Sequence, residues 1–401
     1  MKITKSRVVF IDICRALGAV SVMYTHLVSQ YPQHTGDRSR VVGWFEAITS
    51  VPLHMDKQGF GQIAVALFFV ISGFISTPIA LKMGSMKFAV NRLFRLVPSL
   101  FITVLLSALV MATIPVAAKA LPHTDPIDIS WVTILTNTFF VNYLIVPQVV
   151  LVGVAWTLVI EAIYYFQLIV LLPLIRRALW LAVGIELLIV HIFLMTFKLF
   201  GPGWALIAVN MSYLPAIIMG QLVWALHFKK IPVWVGSLYL AAAWGLYVLA
   251  DNLGAGRIDK AYNLALLFAF LIFLVGLFRE PVLKERPIWT KLSERTYSLY
   301  LLHATVGLTV LSLLRGVIPM ELALLLAIGA SILAAEINYR LVERPAHELG
   351  KRLLKPKRKP GARLRTEEPV NVAAEVASEI TARLPRITDE IPRSPALPTR
   401  V

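Results

Sequence analysis

A single cysteine, Cys14, occurs among the 401 residues, and Asp, Glu, Lys and Arg together make up only 15%. The cysteine falls inside an apolar segment, so a disulfide framework is excluded and the redox compartment stays undetermined. Charge is scarce beside the roughly one quarter usual for soluble domains. The first apolar run lacks a small-residue cleavage site and is long enough to cross a bilayer. It therefore reads as a retained span and not as a signal peptide. No internal repeat is visible.

Hydrophobic residues, by contrast, account for 58% of the chain, and mean hydropathy is +0.73. Ten apolar segments are each long enough for a hydrocarbon layer of about 30 Å. They run approximately over 8–29, 60–81, 97–116, 149–175, 179–197, 204–228, 231–250, 261–278, 296–314 and 320–341. The expected fold is an all-α integral membrane protein of about ten transmembrane helices. A further apolar stretch, 131–147, is broken by Asn137, Asn142 and Pro147 and reads as an interfacial or re-entrant piece.

The formal charge of +16 is explained by topology and gives no support to nucleic-acid binding. Lys2, Lys5 and Arg7 precede the first segment, and Lys82, Lys87, Arg92 and Arg95 lie between the second and third. Further clusters follow the fourth, sixth, eighth and tenth. All fall on one side, so both termini are expected in the cytoplasm. From residue 349 the chain becomes basic, with Lys351, Arg352, Lys355, Lys357, Arg358 and Lys359, and then rich in Pro, Glu, Thr and Arg. The division is a membrane domain, 1–348, and a basic, disordered cytoplasmic tail, 349–401.

Arg15 and His26 carry the most information. Eleven residues make about three helical turns, which puts both on one face of the first span, roughly 16 Å apart in depth. A charge inside a membrane costs a few kcal/mol, so it normally faces the protein interior and serves a function. Asp12, one turn below Arg15, is its expected orienting partner. Glu161 stands near the middle of the fourth segment, with Tyr164 and Tyr165 on roughly its face and Trp156 nearer the outer end. It is expected to pair with Arg15 or to orient His26. Tyr300 and His303 form an i, i+3 pair in the ninth segment. Ser72 and Gly73 read as close helix packing. His34, Asp37, His54 and Asp56 lie in the first outer loop, where they can contact a sugar but lack metal-binding spacing, and no metal is expected.

The motifs occur in a telling order. The first segment holds Ile11-Asp12-Ile13-Cys14-Arg15 and Tyr24-Thr25-His26. Then come Phe68-Phe69-Val70-Ile71-Ser72-Gly73-Phe74, Asn91-Arg92-Leu93-Phe94-Arg95 and Ala155-Trp156-Thr157-Leu158. Tyr297-Ser298-Leu299-Tyr300-Leu301-Leu302-His303 and Tyr339 to Pro345 follow near the C-terminus. Over about residues 8 to 348 this resembles the membrane-bound acyltransferase-3 family, multi-span enzymes that O-acylate sugars of the bacterial envelope. The resemblance implies a multi-pass protein of the bacterial cytoplasmic membrane that modifies an envelope or exported glycan.

Such chemistry needs cations for the phosphates of cytoplasmic acyl-CoA and a base for the acceptor hydroxyl. Arg92 and Arg95, with Arg15 deeper, suit the donor phosphates, because guanidinium forks match their geometry. His26 suits the proton transfer, as general base or as a nucleophile forming an acyl-imidazole. Acetyl-CoA is the expected donor, acting as a substrate with no permanently bound cofactor. The expected partners are this donor, a glycosylated acceptor and the bilayer. The oligomeric state is left open. A transporter or glycan flippase using the same intramembrane Arg, His and Glu is the alternative.

Overall fold

The computed structural model describes residues 7–37, 39–55, 59–121, 129–254, 262–354 and 372–383. Lys2, Lys5, Asp56 and the basic run from Lys355 to Lys359 lie outside them. Ten described helices are long and apolar enough to cross a membrane: Val9–Thr35, Gly61–Met83, Ser85–Thr113, Gly153–Arg177, Leu179–Thr196, Pro202–His227, Val233–Asn252, Tyr262–Val282, Pro287–Leu314 and Met320–Leu353. They are called the first to tenth spans. Among the described residues no strand accompanies them.

Two spans start well before their apolar runs, the third at Ser85 and the ninth at Pro287. Lys and Arg are good helix formers, so the helices continue past the point where hydropathy falls. Arg92, Arg95, Lys291 and Arg295 consequently stand on helices and not in loops. The second and third spans meet at Gly84 alone, whose φ of +79° favours glycine.

The first span is not one regular helix. It is α-helical over Val9–Tyr24, widens to a π-helical stretch at Thr25–Gln30, and ends with Tyr31–Thr35. His26 stands in the widened part. The Thr25 hydroxyl donates to Ser21 O at 3.0 Å and accepts the Gly61 N–H at 3.0 Å. That N–H opens the second span and would otherwise lack a helical acceptor. The π stretch is thus tied to its neighbour.

The second and sixth spans form the centre of the bundle. The second packs against the first, sixth and eighth, while the ninth packs against the first and tenth. Backbones touch where the two central helices cross. A Cβ on Gly73 would lie 1.8 Å from Ile217 O, and one on Gly220 would lie 1.9 Å from Val70 O. Gly73 is therefore the packing residue that its sequence context suggests.

Residues 131–147 do not form a span. A helix at Trp131–Thr138 packs against the third span and is followed by a single turn at Val141–Tyr143. Their backbone is served by side chains: Asn137 Nδ2 donates to Val149 O at 3.0 Å, and Tyr143 OH donates to Val152 O at 2.8 Å. Burial pushes the Tyr143 hydroxyl well above its usual range.

Within the tail, the described residues 372–383 are helical and not disordered. Val372–Arg383 form a helix, with Val376, Ala377 and Ile380 buried against the bundle. Composition averaged over fifty residues hides a short stripe, Val372, Val376 and Ile380, at the i, i+4, i+8 spacing of one helix face.

Gly73→Ala and Gly220→Ala should each cost at least the roughly 1–3 kcal/mol typical of overpacking, because the obstacle is backbone and cannot turn aside. Thermal unfolding in detergent should show the loss. Unchanged melting of both variants would contradict the backbone contact.

Candidate active site

A cavity of about 310 Å³ lies among the first, second, third, fourth and ninth spans. One end of it is marked by Arg7 and by Ala377 of the tail helix. It runs inward to Thr157 and Tyr300. Arg15, Arg92, Arg95 and Glu161 all line it, so the four charged residues picked from four sequence positions on three helices come together.

Each charge is held differently. Arg92 is 5% exposed and lies between two rings, with its guanidinium carbon 4.9 Å from the centre of Phe88 and 4.8 Å from that of Tyr165. Such stacking supports a desolvated guanidinium. Its Nη2 also donates to Ser76 Oγ at 3.2 Å, while Nε is buried with no partner. Glu161 Oε1 accepts from Ser72 Oγ at 2.6 Å and from the Tyr165 hydroxyl. Its hydrogen bonds thus go to two hydroxyls, not to Arg15 or His26 as the sequence suggests. Tyr165, and not Tyr164, reaches the cavity. Tyr164 is buried behind it and shares a 2.8 Å hydrogen bond with Thr77.

Asp12 also takes a partner other than the expected one. Arg7 grips it with both arms, Nε to Oδ2 at 2.7 Å and Nη2 to Oδ1 at 2.9 Å, and Ser293 Oγ adds a third bond at 2.7 Å. Arg7 precedes the helix, so its long side chain can fold back over the first turn, where Asp12 also favours the helix N-terminus. Asp12 and the nearby Glu294 hold the Arg7 guanidinium above its ordinary pKa. Arg15 is left facing the cavity.

His26 does not line this cavity. It stacks on His303, and its Nδ1 is 2.8 Å from His303 Nε2. His303 Nδ1 is 3.0 Å from Leu299 O. These two contacts assign the protons. A carbonyl only accepts, so His303 Nδ1 carries hydrogen. Nε2 of the neutral ring then accepts from His26 Nδ1–H, which leaves the lone pair of His26 on Nε2. The pair of histidines presents one free basic nitrogen.

Phe68 and Tyr300 stand between the arginines and the histidines. Their rings meet edge to face at 6.2 Å, and Tyr300 is 6.1 Å from His303 between ring centres. Both rings line the inner part of the cavity. The Tyr300 hydroxyl is fixed by Thr157 at 2.8 Å and Val154 O at 3.1 Å. Phe68 lies against the first span because Gly18 leaves room; a Cβ there would be 2.7 Å from its ring. The Arg15 to His26 track is thereby interrupted by a ring, and the π stretch also breaks the regular helical angle that the spacing argument assumes. Trp156 is outside the cavity, packed with Tyr213 at 5.0 Å and Phe69 at 6.3 Å.

At the far end of the bundle, Asp37 is tied to Arg315 at 2.7 Å. Hydrogen bonds from Thr35 and then from Arg315 hold its carboxylate below the usual range. His34 and His54 are exposed, and among the described residues they form no metal-binding group with it. Ser76 and Phe68 belong to the cavity without a role expected from the sequence, whereas Tyr165 was expected on the face of Glu161. The signal for Ser76 was its i, i+4 spacing from Ser72.

A family model described as an acyltransferase domain matches residues 8–336. Nodulation protein 10 of Rhizobium leguminosarum bv. viciae is 25% identical over 379 residues, covering 84% of this chain and 93% of its own. No solved structure matches the chain. With the match extending over nearly all ten spans, the chain belongs to the acyltransferase-3 family of multi-pass membrane acyltransferases.

Proposed function

We propose that this protein transfers an acyl group, acetyl in the first instance, from cytoplasmic acyl-CoA to a hydroxyl of an envelope or exported glycan. The observation that carries the reading is the pair of features on one axis. An arginine-lined cavity opens at one end, and a histidine with one free basic nitrogen lies beyond its inner wall. The end holding Arg7, Lys82 and the tail is the cytoplasmic side in this reading, and the membrane is the bacterial inner membrane. Arg92 and Arg95 meet the phosphates of the donor, with forked donors that an ammonium cannot reproduce. Arg15 and Glu161 lie further along the path of the acyl-bearing arm.

The transfer step follows from the tautomers. The acceptor oxygen attacks the thioester carbonyl while His26 Nε2 takes the hydroxyl proton. The imidazolium so formed is stabilised by His303 Nε2, which holds the proton on Nδ1 in place. Collapse of the tetrahedral intermediate breaks the carbon–sulfur bond, and the departing thiolate recovers the proton from His26. The products are an ester and free CoA. The acyl carbon must pass Phe68 and Tyr300 to reach the histidines, so these rings turn aside during the cycle.

The direct test is purified protein with acetyl-labelled acetyl-CoA and a glycan acceptor. Label should appear on the glycan, and label remaining on CoA would favour a transporter. His26→Ala and His26→Gln should each lose about a hundredfold or more in rate at equal membrane abundance, since Gln cannot take the proton. His303→Gln should keep more activity than His303→Leu, because an amide oxygen can still accept from Nδ1–H. Equal activity of the two would leave His303 with a packing role only.

Two further substitutions address the donor end. Replacing Arg92 and Arg95 by Gln should raise KM for acetyl-CoA with the protein still inserted, and Lys at both should restore it in part. Glu161→Gln keeps an oxygen for Ser72 and Tyr165 but removes the charge opposite the arginines. Its rate should fall by about tenfold or more, as expected where a cation in a poor solvent loses its counter-charge. Wild-type kinetics in either set, measured at limiting donor, would remove those residues from the site.

A further inference from the structure

Part of the chain forms one wall of the cavity at the end marked by Arg7. Ala373, Ala374 and Ala377 of the tail helix line it together with Arg92 and Arg95. Glu375 and Glu379, one turn apart on that helix, both reach Lys82 Nζ at the end of the second span, at 3.3 and 2.7 Å. At the other end of the helix, the Arg383 guanidinium lies 4.9 Å from the centre of the Phe228 ring and contacts Phe228 O at 3.5 Å. The helix therefore bridges the ends of the second and sixth spans, with three alanines lining the cavity. It lies beyond residue 336, where the family match ends.

The attachment is closed but weak by construction. A twelve-residue helix is marginal on its own, so its order depends on the seat. The seat is a narrow stripe, with Val376, Ala377 and Ile380 as the buried residues. Both glutamates are 52% exposed, and pairs of that kind hold little. The alanine side chains offer no anion to the guanidinium groups that line the same cavity.

We propose that the tail helix is a tethered competitor of the acyl donor, covering the arginines until a nucleotide phosphate displaces it. The proposal rests on the reading of this cavity as the acyl-CoA site. A competitor seated for part of the time raises the apparent donor constant by the inverse of the open fraction and leaves the chemical step alone.

Two opposite charge changes test it in the full chain. Lys82→Glu, and Glu375→Lys with Glu379→Lys, each break the same contact while moving the charge of the mouth in opposite directions. Both should lower KM for acetyl-CoA by about three- to tenfold at unchanged kcat. The triple variant, which rebuilds the pairs in reverse, should return KM toward the wild-type value. Opposite shifts in the two variants, unchanged KM, or a triple variant without recovery would overturn the competition.

A second readout needs no turnover. In a chain with Cys14→Ser and Ala377→Cys, a water-soluble maleimide should label the new thiol faster when acetyl-CoA is added, and faster again with Lys82→Glu. Labelling that ignores acetyl-CoA would overturn the proposal. Labelling that responds to acetyl-CoA in a protein showing no acyl transfer would support the tethered competitor and count against the catalytic reading alone.

Discussion

A guanidinium or carboxylate inside hydrocarbon must find protein or water, and this requirement organises the bundle around its cavity. Arg15, Arg92, Arg95 and Glu161 stand on three different helices, yet all reach the same space. Aromatic faces and hydroxyls support them: Phe88 and Tyr165 flank Arg92, while Ser72 and Tyr165 serve Glu161. Tyr165 is thus shared by cation and anion, which couples the third and fourth spans through one ring. Direct ion pairing would satisfy the same charges, but it would leave fewer guanidinium donors for a ligand phosphate. Support by rings and hydroxyls keeps those donors facing the cavity.

The second organising feature is the division of the axis into two chemical halves. Below the Phe68 and Tyr300 rings the lining is cationic; above them the two histidines form a neutral pair. Gly18 is what permits the separation, by leaving room for the outer edge of the Phe68 ring against the first span.

Much of this was legible in the sequence. Ten spans follow from apolar length, and Arg15, Arg92, Arg95 and Glu161 as cavity residues follow from the cost of charge in a membrane. Partner identity did not follow. Arg7 reads as a topology signal, but it folds back onto Asp12 because it lies just outside the helix, a matter of chain path and not of periodicity. The same-face argument for Arg15 and His26 assumed a constant 100° per residue, and the π stretch at Thr25–Gln30 removes that constancy. Nothing local announces the stretch; Thr25 is held by Gly61 of another span, 36 residues away. The tail helix escaped for a different reason, since twelve residues of weak amphipathicity are diluted by the polar sequence around them.

The crossing of Gly73 and Gly220 sets how the molecule can move. Two helices whose backbones touch at reciprocal points cannot slide without a carbonyl entering a neighbouring chain. The second and sixth spans therefore act as a fixed mast, to which the first span is also lashed by the hydrogen bond from Gly61 to Thr25. A protein that alternates between inward and outward states needs a cleft that opens between its central helices. Here the centre is the part least able to open, and traffic through the bundle depends on the rotamers of rings at its side.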